Sequence, residues 1–167
     1  MALYIKEYDD RWIMDPIRGA KVSGIDWHAD RIDIRFGGMA TLTVGYDAEL
    51  APRSLLEDNP DRHPITYWTR ADLERNLASP IASPVFFKSG RVRLGFRNGW
   101  KLFSSIHDTP TTLKLGNDCI WTPSGLSTST EYPVLQIDKW TGMAIEAPPW
   151  PGRPKDLHFD DSDDINE

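Results

Sequence analysis

The chain has 167 residues, of which 40% are hydrophobic, and it carries a formal net charge of −6. A chain of this length and apolar content can bury a core as one domain, which excludes disorder throughout. No apolar run reaches the roughly 18 residues of a membrane-spanning helix, and the single Cys119 excludes an internal disulfide. Because no signal-peptide pattern follows Met1, we expect a cytoplasmic protein.

The charge is unevenly distributed along the chain. Residues 84–114 hold six bases and one acid, a local charge of +5, whereas residues 155–167 hold one base and six acids, a local charge of −5. The overall charge therefore describes neither segment. The proline-rich and then acidic residues 148–167 predict a flexible tail after a single β-rich domain of residues 1–147.

The first predicted strands follow a polar and aromatic stretch in which Trp12 and Ile13 are the expected core anchors. In residues 31–36 apolar and charged residues alternate with the period of two that is typical of a half-buried strand. Glycines at the next turn can take the positive φ angles that two-residue hairpin turns need. The predicted elements are strands at 21–28, 31–36 and 39–46, joined by turns at Ala29-Asp30 and Gly37-Gly38.

A loop and a short helix come next. Prolines break residues 48–64 into a loop. Thr69 is a good N-cap, and Asp72 stands three residues later, so we predict a helix over 70–78. So short a helix depends on the packing of its apolar side chains, Leu73 and Leu77.

The strongest feature of the sequence is an internal repeat. The segment 91–96 matches 31–36 after sixty residues, with apolar residues at the same alternate positions and a glycine-containing turn after each. Asn98-Gly99 in the second copy is the strongest short hairpin signal in the chain. The matched apolar pairs are Ile32 with Val92, Ile34 with Leu94, Phe36 with Phe96, and Leu42 with Leu102.

The repeat and the strand pattern together predict a mainly β (α+β) fold. Two related hairpin units, residues 19–46 and 79–106, would pack into a sandwich or partly open barrel with one or two short helices. We expect strand edges to pair between the repeats. Further short strands are predicted at 112–115, 119–122, 134–139 and 143–146.

Candidate catalytic groups are weak. Asp26, His28 and Asp30 would share a strand face and could ligate zinc or manganese, but no second ligand cluster exists, so a solvated face is favoured. A nucleophile, base and acid occur together at the end of a strand, without the turn that presents a catalytic serine; these are Ser105, His107 and Asp108. Cys119 lies in an apolar run and is interpreted as a buried small side chain. We therefore expect no enzyme activity and no cofactor.

The basic second copy is the more informative candidate. Arg91, Arg93 and Arg97 would lie on one strand face, with Lys88 and Lys101 near them and Trp100 available for stacking. Three interpretations remain open: a solvated face with internal ion pairs, a surface for an acidic protein, or a nucleic-acid site. The predicted partner contacts are Arg91, Arg93, Trp100 and the acids Asp160, Asp161, Asp163 and Asp164, which would face a basic partner.

Five segments, residues 19–22, 30–44, 77–84, 89–102 and 119–125, together resemble a family of small uncharacterised bacterial domains. That family has a repeated strand–turn–strand unit with phenylalanine before the turn, closed by a late glycine-containing turn. The resemblance covers residues 17–125 and implies an immunity protein that neutralises a toxin encoded beside it. It implies no catalytic residue.

The functional expectation is thus a non-enzymatic protein-binding protein, an immunity factor that covers the active site of a toxin and exists as a monomer or homodimer. One alternative is a small-molecule-binding or hydrolytic β-barrel enzyme with its site around His28, His107 and Asp108. The other is a nucleic-acid-binding module that uses the arginine face.

Overall fold

The computed structural model describes residues 4–54, 56, 58–105, 111–127, 132–138 and 140–144. Within them lie fourteen strands, one α-helix, α1 (Arg70–Asn76), and two 3-10 helices, Asp15–Ile17 and Ile65–Tyr67. The strands are β1 (Ile5–Glu7), β2 (Arg11–Met14), β3 (Val22–Trp27), β4 (Arg31–Phe36), β5 (Ala40–Gly45), β6 (Glu49–Ala51), β7 (His63–Pro64), β8 (Ile81–Phe87), β9 (Val92–Phe96), β10 (Lys101–Phe103), β11 (Thr112–Leu115), β12 (Asp118–Thr122), β13 (Gly125–Leu126) and β14 (Val134–Gln136).

The strands form two sheets that pack face to face. The large sheet has the order β14-β1-β2-β8-β9-β10-β6-β7, and the small sheet has the order β13-β12-β11-β5-β4-β3. Their inner faces share one core, in which the rings of Phe86 and Trp121 meet edge to face at 4.9 Å. The predicted mainly β, sandwich-like fold is confirmed, and the sheets do not close into a barrel.

The predicted repeat is visible as two three-stranded meanders, one in each sheet. The first unit is β3-β4-β5 and the second unit is β8-β9-β10. The alternation is confirmed, because Ile34 and Leu94, sixty residues apart, are both fully buried in the middle strands. Each unit also has a β-bulge at the start of its first strand.

The two units exchange strands across the core. The strand that follows the first unit, β6, crosses to the large sheet and pairs with β10 of the second unit. The strand that follows the second unit, β11, crosses to the small sheet and pairs with β5 of the first unit. The fourth strand beside each meander therefore comes from the half of the chain that contains the other meander, and neither half forms a four-stranded sheet without the other.

Both predicted two-residue hairpin turns are wrong in length. Phe36 pairs with Ala40 in the first unit, and the Phe96 N–H donates to the Trp100 carbonyl in the second unit, so each loop has three residues. In the second loop Gly99 takes a φ of 95°, the left-handed conformation that closes a type I turn with a bulge. A one-residue change in loop length moves every side chain of the returning strand to the other face.

The N-terminal strands β1 and β2 were not predicted. They pair with each other, and β2 then extends the large sheet beyond β8. A buried ion cluster holds them in place, since Asp15 lies 3.0 Å from the Lys6 ammonium and 2.9 Å from the Arg18 guanidinium. Arg18 also donates to the carbonyl of Ala82 at the start of β8. Removing this carboxylate would take its charged partner in this cluster from the buried Lys6.

The short helix forms where the sequence predicts it, although it ends at Asn76. The Thr69 hydroxyl accepts a hydrogen bond from the Asp72 N–H, and the apolar side chains of Leu73 and Leu77 are buried. In the described ranges, no helix has the length and apolarity to cross a membrane.

Candidate functional site

The outer face of the large sheet carries a group of cationic and aromatic side chains. Alternate residues of a strand point to opposite faces, so Phe87, Arg93 and Phe103 point away from the core while Phe86, Leu94 and Leu102 point into it. We call this surface the cationic face. Its members are Arg62, Phe87, Arg91, Arg93, Lys101 and Phe103.

Cation–ring contacts run across the cationic face. The Arg93 guanidinium lies 5.5 Å from the centre of the Phe87 ring, and Phe103 stands directly opposite Arg93 on the next strand. The Arg62 guanidinium then lies 3.8 Å from the centre of the Phe103 ring and 2.9 Å from a carboxylate oxygen of Glu49. A guanidinium lying against a ring loses rotational freedom but keeps in-plane N–H groups for an anion.

Among the described residues, the cationic face has more positive charge than the nearby acids compensate. Arg91 and Lys101 are exposed and form no ion pair with any residue that the structure describes. Glu49 compensates Arg62 alone. An excess of positive charge on a rigid sheet attracts anionic groups and orients them on approach.

Trp100 does not lie with the arginines, contrary to the expectation that it would be near them and available for stacking. It stands opposite Phe96 and packs partly against the main core, where its ring meets Trp68 edge to face at 5.3 Å. The three-residue loop is the cause, because a two-residue turn would have placed Trp100 opposite Arg97 on the outer face. Beyond Trp68, Tyr67 is 63% exposed and stacks on His63 at 3.9 Å.

The outer face of the small sheet is polar, and several of its charges are paired. Asp26 lies 3.0 Å from Arg35, and His28 lies 3.0 Å from Asp33, which also accepts a hydrogen bond of 2.6 Å from Thr43. Asp26, Asp33, Arg35 and Thr43, but not His28, line a shallow depression of about 560 Å³. This agrees with the interpretation of a solvated strand face.

The candidate metal ligands are therefore engaged elsewhere: Asp26 with Arg35, His28 with Asp33, and Asp30 with Arg31. No group of three or more His, Cys, Asp or Glu side chains suited to a metal occurs in the described part of the chain. The alternative of a barrel with its mouth around His28 is not supported, because the described strands form two open sheets.

Not all of the predicted residues lie in the part of the chain that the structure describes. His107, Asp108 and the acids Asp160, Asp161, Asp163 and Asp164 lie outside the described residues. Ser105 is described and follows β10. Cys119 is half-buried, and its thiol lies 3.6 Å from the Trp121 carbonyl.

No protein-family model, curated protein or solved structure matches this chain.

Proposed function

We propose that this chain is a non-enzymatic binding protein whose cationic face docks on an acidic surface of a protein partner. The observation that supports this most is that Arg91 and Lys101 are exposed on this face and form no ion pair with any residue that the structure describes. Positive charge held on a rigid sheet attracts the carboxylates of a partner and orients it on approach.

An acidic protein fits this face better than a nucleic acid does. Sequence-tolerant binding of single strands needs aromatic rings whose faces are open to bases. Here an arginine of the same chain already lies against Phe87 and against Phe103. The more open ring, Tyr67, lies near Trp68 and Trp100 and outside the cationic face.

Within the class of binding proteins, the role we propose is that of an immunity factor. The support is the sequence resemblance together with a preformed β surface that carries more positive than negative charge among the described residues. Such a surface inhibits by covering a catalytic cleft, because complementary charges speed association and fix the orientation of the two proteins. The inhibitor itself needs no reactive group.

The first test measures binding to a defined acidic probe, a short poly-L-glutamate peptide, by fluorescence anisotropy over a salt series. The Lys101→Gln variant should bind about fivefold more weakly, because one exposed charge of the face is lost. Lys114→Gln is the matched control. Lys114 is an exposed lysine of the small sheet and lies opposite Thr41 on the neighbouring strand, and Thr41 is the residue of the first unit that matches Lys101. It should bind as the unmodified protein does.

Equal losses in both variants would mean that the probe senses overall charge, and the cationic face would then not be the site. Tighter binding to single-stranded DNA of equal charge would favour the nucleic-acid alternative and overturn the proposal of a protein partner.

The second test concerns immunity. The protein encoded beside this chain is produced in a bacterial host with and without it, and growth is followed. The proposal expects arrested growth that this chain restores, and a complex of the two proteins on size-exclusion chromatography. A neighbour that is not toxic, or growth that is not restored, would overturn the immunity role and leave the acidic-partner proposal to the first test.

A further inference from the structure

A groove opens at the edge of the large sheet, where β10 meets β6 and the loop after it. Its volume is about 510 Å³. Its lining includes the side chains of Arg53, Leu56, Asn59, Arg62, Lys101 and Phe103. We call it the edge groove. It adjoins the cationic face through Arg62, Lys101 and Phe103.

Three cations from three segments converge on the edge groove. Arg53 comes from the loop after β6, Arg62 precedes β7, and Lys101 begins β10. Arg53 and Lys101 have no ion-pair partner among the described residues, and no acid is found among the described residues that line the groove. An anion entering the groove would therefore meet the positive charge of Arg53 and Lys101.

The walls of the edge groove are fixed by local contacts. Arg62 lies on the Phe103 ring, and the Asn59 side chain donates a hydrogen bond of 2.8 Å to the Pro52 carbonyl. The backbone at Gly99 is so close to Arg53 that a Cβ there would lie 2.8 Å from the Arg53 Cβ. The arginine stem is thus held beside the groove by the turn of the second unit.

Apolar surface accompanies the charge. Leu56 is 64% exposed and Phe103 is half-buried, and both contribute to the lining. The groove therefore suits a ligand that brings a carboxylate and an apolar group side by side.

We infer that the edge groove anchors a glutamate or aspartate side chain of the partner together with an adjacent apolar side chain. This inference rests on the proposed function and names the chemistry of the contact. An acidic side chain fits better than a chain terminus, because terminal carboxylates are usually captured by clustered backbone N–H groups. Here the cations are side chains from three segments.

The test uses short blocked peptides with a central Glu-Leu, Gln-Leu or Glu-Ser pair in a serine-rich context, titrated by isothermal calorimetry. The Glu-Leu peptide should bind most tightly, and replacing Glu by Gln should weaken binding about tenfold, as expected for the loss of a charge-assisted contact. A peptide with Gln-Leu and a free C-terminal carboxylate tests the other source of the same anion. If it binds more tightly than Glu-Leu, the acidic side chain is the wrong ligand.

Arg53→Gln separates the edge groove from the cationic face, of which Arg53 is not a member. It should weaken Glu-Leu binding about tenfold but change poly-L-glutamate binding much less, while Arg53→Lys should restore part of the affinity. Unchanged Glu-Leu binding in Arg53→Gln, with circular dichroism showing a folded protein, overturns the inference. The proposed function survives that result if Lys101→Gln still weakens poly-L-glutamate binding.

Discussion

The two units of the repeat share a backbone plan and differ in chemistry on their outer faces. His28 and Phe87 occupy the same place, since the N–H of each closes its hairpin by donating to the carbonyl of Arg31 or Arg91. The middle strands then match Asp33 with Arg93, and the returning strands match Thr43 with Phe103. One scaffold thus carries two different cross-strand clusters.

In the first unit these positions satisfy one another, because Asp33 accepts a hydrogen bond from Thr43 and faces His28 at 3.0 Å. In the second unit the same positions hold Arg93 against the ring of Phe87 and opposite Phe103 on the next strand. The comparison teaches that the repeat explains the core and does not explain the site. Substitutions at matched positions can separate the two contributions.

The largest effect is expected where the units are alike. Phe36→Ala and Phe96→Ala each remove a buried ring from the shared core, and each should lower the free energy of unfolding by about 3–5 kcal/mol. Chemical denaturation followed by tryptophan fluorescence measures both. If Phe96→Ala were nearly neutral while Phe36→Ala was not, the two units would not share one core.

The next effect concerns β1 and β2, the N-terminal strands that extend the sheet of the second unit and not that of the first unit. Asp15→Ala should destabilise the protein by about 3 kcal/mol, because it breaks the buried ion pair between Asp15 and Lys6. Asp26→Ala is the matched control in the first unit. Its ion pair with Arg35 is half exposed, so the cost should stay below about 1 kcal/mol. Similar costs for the two variants would mean that the N-terminal strands depend little on the ion cluster.

The sequence predicts the repeat well because alternation is a local signal. The strands β4 and β9 have one buried and one outer face, and the strict period of two in Arg31–Phe36 follows from that. The strand β2 gives no such signal, since Trp12 and Met14 lie in the main core while Ile13 lies in a second apolar cluster on the outer face. A strand buried on both faces shows no alternation.

The candidate site is predictable only in part. Arg91 and Arg93 follow from the parity of one strand, whereas Arg62 comes from a loop and reaches Phe103 through tertiary packing. The misplacement of Trp100 came from a single residue in the length of a turn. A contact between residues far apart in the sequence, such as Arg62 and Phe103, leaves no local signal. An error of one residue in the length of a turn changes the face of every side chain in the strand that follows.

A smaller effect tests that turn. Gly99→Ala should cost about 1–3 kcal/mol, because φ is 95° there and the new Cβ would lie 2.8 Å from the Arg53 Cβ. Gly38→Ala is the control in the first unit, at a position with open space and no positive φ. Its effect should be within about 0.5 kcal/mol. Thermal melts of both variants measure these stability costs. A Gly99→Ala variant as stable as the unmodified protein would contradict the three-residue loop.

The smallest effect concerns α1. The end of this helix contacts the turn of the second unit, where the Asn98 side chain donates a hydrogen bond of 2.9 Å to the Asn76 carbonyl. Thr69→Ala removes the N-cap and should cost about 1 kcal/mol at neutral pH. Thr66→Ala, an exposed position in the preceding 3-10 helix, is the control and should change stability by less than about 0.5 kcal/mol.

The cost of Thr69→Ala should also depend on pH. A hydrogen bond from the Thr69 side chain, followed by the contact with Arg75, holds the pKa of Asp72 below its ordinary value. A carboxylate with a lowered pKa in the folded state stabilises the protein above its unfolded pKa, and that contribution is lost as the pH falls through the folded pKa. The difference between the unmodified protein and Thr69→Ala should therefore narrow below about pH 4. A gap in denaturation midpoint that stays constant down to strongly acidic pH would show that the hydroxyl acts on the backbone alone.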